Sequence, residues 1–211
     1  MIMDWVVIVF VSFLFPLIAL VVFIFRSCEH SNGITILEMF RFEKDIQKNL
    51  LPLFGQSDCF DMAKRFKLFV ATNVDSSEIN GKESQLGPTK QNEYNGEILI
   101  AKTEVDYLPR FRCYHELIHY CKDVGEGKKV CKVYGKDPQG ETQSHKEQII
   151  NYYAAAIAVP RNSLVKDLET RPNFKDDTQF VGELMKKYQQ PETTIRRRIE
   201  EVSRLNRIGL S

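Results

Sequence analysis

Residues 110–120 read Arg-Phe-Arg-Cys-Tyr-His-Glu-Leu-Ile-His-Tyr, and the spacing within them decides the fold. His115 and His119 are four apart, so on a helix they share a face and both imidazoles can reach one ion. Glu116 follows His115 and points beside that ion, toward a water whose proton it can take. Zinc accepts nitrogen, sulfur or oxygen ligands in a tetrahedron and is catalytic when one position stays open. The plain alternative is a surface helix with two solvated histidines. A third ligand elsewhere in the chain separates the two readings.

The extended form HExxHxxGxxH would need glycine at 122 and histidine at 125; the chain has Lys122 and Gly125, which excludes it. Downstream, residues 145–160 read HKEQIINYYAAAIAVP and offer His145 and Glu147. Two apart on a helix, these face well-separated directions, so one of them is expected to serve. Glu147 shares its face with Asn151 and the small residues Ala154, Ala155 and Ala158, which would let this helix pack closely on the first. That geometry favours Glu147, with His145 as the alternative. For stabilising an oxyanion, Tyr152, Tyr153, His145 and Arg161 are close in sequence, and none stands out.

Working outward, residues 34–54 carry a helical stripe of Ile36, Phe40, Leu50 and Leu51, interrupted by Glu43 and Gln47 and closed by Pro52 and Gly55. Residues 58–66 read as a short helix, and 67–72 and 97–102 as strands rich in β-formers. Between the strands, 73–96 is polar and glycine-containing, a long loop or irregular hairpin. Helices are expected over 108–122, 141–159 and 163–168. A closing pair, 177–188 and 192–205, is hinged at Gln189-Gln190-Pro191.

The N-terminus is of another kind. Residues 5–25, WVVIVFVSFLFPLIALVVFIF, carry no charge and as a helix span about 31 Å, roughly one bilayer core. No basic residue precedes them, unlike a secretory signal peptide, so an uncleaved anchor is expected. Arg26, Arg41 and Lys44 lie on the C-terminal flank, and positive-inside then places the body in the cytoplasm. An odd number of cysteines, 5, fits a reducing compartment better than a disulfide framework.

Of 211 residues, 29 are Lys or Arg and 28 Asp or Glu, a net charge of +1, which argues against a protein built to grip nucleic-acid phosphates. Arg196-Arg197-Arg198 is the one basic run, and Glu200 and Glu201 beside it point to a solvated helix face. The closing pair has the outline of a helix-turn-helix but reads better as a packing or substrate-docking unit. Cys113, Cys121 and Cys131 flank the histidines without a CxxC pair and read as free thiols.

The string RFRCYHELIH, then Glu147-x-x-x-Asn151 and an alanine-rich run to Pro160, resembles the ImmA/IrrE metallopeptidases. The family pattern is roughly RF-x-x-x-HExxH followed by E-x-x-A-N-x-F-A-A-x-L-L-M-P. Two departures, Ile150 for alanine and Ala158-Val159 for Leu-Met, are apolar exchanges. The resemblance implies that His115, His119 and Glu147 bind Zn2+ and that Glu116 is catalytic. It also implies a protein substrate, a transcriptional repressor encoded on a mobile element. The expected architecture is α+β: a transmembrane helix (1–26), a zincin-like metallopeptidase core, mostly helical with a small β-sheet (27–170), and a C-terminal helical pair (171–211). The expected function is a single-pass, membrane-anchored zinc endopeptidase with its catalytic domain in the cytoplasm. The alternative is a regulator that sequesters its partner without cutting it.

Overall fold

The computed structural model describes residues 34–55, 57–134, 145–171 and 177–209. The apolar stretch 5–25 and residues 141–144 of the expected long helix lie outside them. Among the described residues no helix is long and apolar enough to cross a membrane.

Helix α1 (Ile36–Asp45) opens on a capping box, in which Thr35 accepts from the Glu38 N–H while the Glu38 carboxylate accepts from the Thr35 N–H. It runs on through a π-helical turn (Ile46–Leu50) to a last α-turn (Leu51–Phe54). The stripe it buries is Met39, Glu43, Ile46 and Leu50. Glu43 therefore belongs to the inner face that it was expected to interrupt, whereas Gln47 is exposed. Helix α2 (Cys59–Arg65), capped by Asp58, leads into strand β1 (Leu68–Val74).

The expected loop after β1 holds a 3-10 turn (Ser76–Ile79) and a strand, β2 (Ser84–Gly87), which pairs antiparallel with β3 (Gly96–Ala101). β3 is central and parallel to β1, giving the order β1-β3-β2. Ser-Gln-Leu-Gly has neither β-branched nor aromatic residues, so its propensity is silent and pairing with β3 makes it a strand. Gly96 is required where β3 begins, because a Cβ there would lie 2.4 Å from Val130 Cγ2 and 3.0 Å from the Gly87 carbonyl oxygen.

Helix α3 (Leu108–His119) carries the motif and continues as a π-helical turn (Tyr120–Val124). It lies against the sheet on one side and helix α4 (His145–Ala158) on the other. Ala154, Ala155 and Ala156 are at most 1% exposed, and small side chains let two helices approach this closely. Leu117, Ile118, Tyr120, Ile98, Ile100, Ile150 and Tyr152 form the core with the stripe of α1.

A second core of Val159, Leu164, Phe180, Leu184, Ile195 and Val202 joins α5 (Arg161–Glu169), α6 (Thr178–Tyr188) and α7 (Glu192–Arg207). The basic run on α7 corrects the expectation of a solvated face. Arg196 is exposed, but Arg198 is 0% exposed. Its guanidinium donates to Glu43 Oε1 (2.7 Å), to Glu201 Oε2 (3.0 Å) and to the Val159 carbonyl (3.2 Å). Tyr152 donates to the same Glu43 oxygen at 2.8 Å. This buried cluster ties α1, α4 and α7 together.

Candidate metal centre

Helix α3 presents His115 and His119 one turn apart, their ring centroids 4.9 Å from each other. From α4, Glu147 comes between them, with Oε2 3.3 Å from His115 Nε2 and Oε1 3.4 Å from His119 Nε2. Two ligands held about 2.0–2.1 Å from one ion in a tetrahedron lie about 3.3–3.4 Å apart, so these separations suit a single small cation. His115, His119 and Glu147 are the group of His, Cys, Asp and Glu side chains among the described residues whose ligand atoms converge, all within 4.8 Å. His119 Nε2 is buried and makes no hydrogen bond, as a nitrogen kept for a metal would be. His145 stands apart, its Nε2 3.2 Å from Glu38 Oε1 on α1.

Each imidazole is aimed by a partner on its far nitrogen. His115 Nδ1 donates to Asn151 Oδ1, and His119 Nδ1 to Asp123 Oδ2, both at 2.9 Å, leaving each Nε2 with its lone pair toward the centre. Asp123 is also held by Lys146 at 2.8 Å. Burial alone would lower the His119 pKa, but Glu147 and Asp123 outweigh it and the net shift is upward. Burial likewise opposes ionisation of Glu147, and the nearness of the two imidazoles reverses that and holds it well below the usual carboxylate range.

Glu116 is 1% exposed. Burial raises its pKa, opposed by His115 and by a 2.6 Å hydrogen bond from Ser84 Oγ to Oε1. Its other oxygen, Oε2, is buried without a partner. A carboxylate with one oxygen fixed and the other unengaged is placed to exchange a proton with a small molecule beside it. The cavity in front of it, about 90 Å³, is lined by Ser84, Arg112, His115, Glu116, Glu147 and Asn151.

The residues considered for oxyanion stabilisation are all engaged elsewhere. Tyr152 bonds Glu43, Tyr153 bonds Asp45, and Arg161 bonds Asn206. The cation at the cavity is Arg112, which is 8% exposed and donates to the Ala101 carbonyl. Reasoning from sequence did not single it out, although it lies four residues before Glu116 on the same helix face. Asp123 carried a similar signal, four residues after His119. Ser84 carried none, since it sits in the segment read as a loop. The four described cysteines are free, and none joins a metal-binding group.

No curated protein and no solved structure matches the chain. Among family profiles, Peptidase_M78, the IrrE N-terminal-like domain, matches residues 73–200, from the end of β1 through most of α7. That match spans more than half of the chain and takes in the His-His-Glu cluster together with Ser84, Glu116, Asp123 and Asn151. It brings a metallopeptidase-like domain and a cluster fitted to a metal onto the same residues, and the chain belongs to the Peptidase_M78 family of IrrE N-terminal-like domains.

Proposed function

We propose that the chain is a zinc-dependent endopeptidase, tethered to the membrane by residues 5–25 with its catalytic domain in the cytoplasm, and that it cuts a specific regulatory protein such as a transcriptional repressor. The observation that carries the peptidase reading is the convergence of three ligand atoms beside the unpartnered Oε2 of Glu116. His115, His119 and Glu147 would hold the ion, two nitrogens and one oxygen leaving a fourth position for catalysis. Zinc bound there supplies a water acidified toward neutrality and a Lewis acid for the scissile carbonyl.

The chain's own residues do the rest. Glu116 takes the attacking water's proton on Oε2 and passes it to the leaving amine, a role helped by burial, which raises its pKa. Ser84 fixes the opposite oxygen, so the carboxylate does not rotate away between the two transfers. Asn151 and Asp123 keep both imidazoles in the tautomer that faces the ion. Arg112, in the cavity wall, is the cation available to negative charge developing on the carbonyl oxygen.

Glu116→Gln tests the reading. It is expected to leave folding and zinc content unchanged while cleavage of a co-expressed repressor falls by roughly 10²–10⁴-fold. If the variant relieves repression as well as the wild type, the chain acts by sequestering its partner. The anchor is tested separately: the full chain should resist a carbonate wash of membranes, and an N-terminal tag should lie outside the cytoplasm. Release by carbonate overturns the span, and a cytoplasmic tag overturns the orientation.

A further inference from the structure

The cavity at the metal centre does not end at the ligands. It shares Glu83, Phe111 and Asn151 with a second cavity of about 200 Å³, whose far wall is Ala155 of α4 and Thr193, Thr194 and Arg197 of α7. Along α4, Glu147, Asn151 and Ala155 fall on one face at intervals of four residues. At a rise of 1.5 Å per residue, Asn151 stands about 6 Å and Ala155 about 12 Å from Glu147. An extended peptide advances about 3.3 Å per residue. The second cavity therefore meets a substrate side chain roughly two to four residues from the bond at the metal.

The walls of that cavity state what they would accept. Phe111 and Ala155 are apolar, and the polar end is formed by Thr193, Thr194 and Arg197. Arg197 donates through Nε to Glu201 Oε1 at 2.8 Å, while its Nη2 is buried with no acceptor. The other oxygen of Glu201 is taken by Arg198, so Arg197 shares its counter-ion with a second arginine. Glu83, where the two cavities meet, has an exposed carboxylate 3.7 Å from Arg112, which answers its charge. A guanidinium that shares one carboxylate with a second arginine and keeps a donor without an acceptor, on a residue lining a pocket reached by an extended chain, is matched by a carboxylate.

We propose that this second cavity is a specificity subsite for an aspartate or glutamate of the substrate, with Arg197 as the residue that selects it. The proposal rests on the peptidase reading and adds to it an acidic residue two to four positions from the cut.

The test is cleavage-site mapping by mass spectrometry, using the zinc-loaded full chain in detergent and a proteome-derived peptide library. The wild type should enrich Asp and Glu at one position two to four residues from the cut. Arg197→Gln should lose that enrichment, and Arg197→Glu should replace it with Lys and Arg, an exchange that a merely structural arginine would not produce. On a reporter peptide with glutamate at the enriched position, kcat/KM should fall at least tenfold in Arg197→Gln and change little when that glutamate is replaced by glutamine. Thr193→Glu, at an exposed position on the rim, should weaken cleavage of the acidic reporter alone and serves if the arginine variants do not fold. The same preference in every variant, or none in the wild type, overturns the subsite and leaves the peptidase standing. A wild type that cuts no peptide, like Glu116→Gln, overturns the peptidase reading and the subsite with it.

Discussion

Ser84 on β2 donates a 2.6 Å hydrogen bond to Oε1 of Glu116 on α3, joining the edge of the sheet to the carboxylate of the motif across 32 residues of chain. Both side chains are buried, so the bond is stronger than it would be in bulk water.

Ser84→Ala should therefore cost catalysis more than folding. A hydrogen bond to a charged group is worth about 1.5–3 kcal/mol, equivalent to a loss in kcat of roughly 10–100-fold if the bond acts in the transition state. Steady-state kinetics should show that loss in kcat with KM and bound zinc unchanged.

The partners behind the imidazoles should govern affinity for the ion. Asp123→Ala and Asn151→Ala are each expected to weaken zinc binding by about 10–100-fold, measured by competition with a chelator. Asp123→Ala also removes the acceptor of Lys146, so it should have the larger effect.

Arg198→Met would leave Glu43 and Glu201 buried with their shared cation gone. Breaking a buried ion pair from one side typically costs about 3–5 kcal/mol, and urea unfolding should show a loss of that size. Adding Glu43→Leu should recover part of it, because an apolar pair of similar volume removes the stranded carboxylate.

Asp45 gives the fold a dependence on acid. Burial would raise its pKa, but Lys122, Tyr153 and Asn49 all bond it and hold it at about 2, below the usual 3.8. A depressed carboxylate contributes stability that is complete above its unfolded value and is lost as pH falls through its folded one. Between pH 4 and 2 the wild type should thus lose more stability than Asp45→Asn, as read from urea midpoints at the two ends of that range.

The motif helix was legible because its evidence is local. Spacing alone put His115, Glu116 and His119 on adjoining positions of one helix, and the alanines after Asn151 marked the face that packs against it. In the sequence Glu43 looks like a flaw in an apolar stripe because its partner, Arg198, lies 155 residues away. Arg198 looks solvated for the converse reason: the neighbouring acids account for only part of its environment. β2 escaped notice since four residues without β-branched side chains have no pattern, and with β2 went Ser84. What sequence periodicity conveys is a residue's relation to its own element, and each of these depends on another element.

The pairing of Glu43 with Arg198 also bears on synthesis. Glu43 is synthesised 155 residues before Arg198, so until Arg198 has emerged a growing chain that closes α1 over α4 buries a carboxylate without its cation. Tyr152, which bonds Glu43, stands next to Asn151, which aims His115. The packing behind the metal-binding face of α4 is thus completed only after Arg198 has been synthesised.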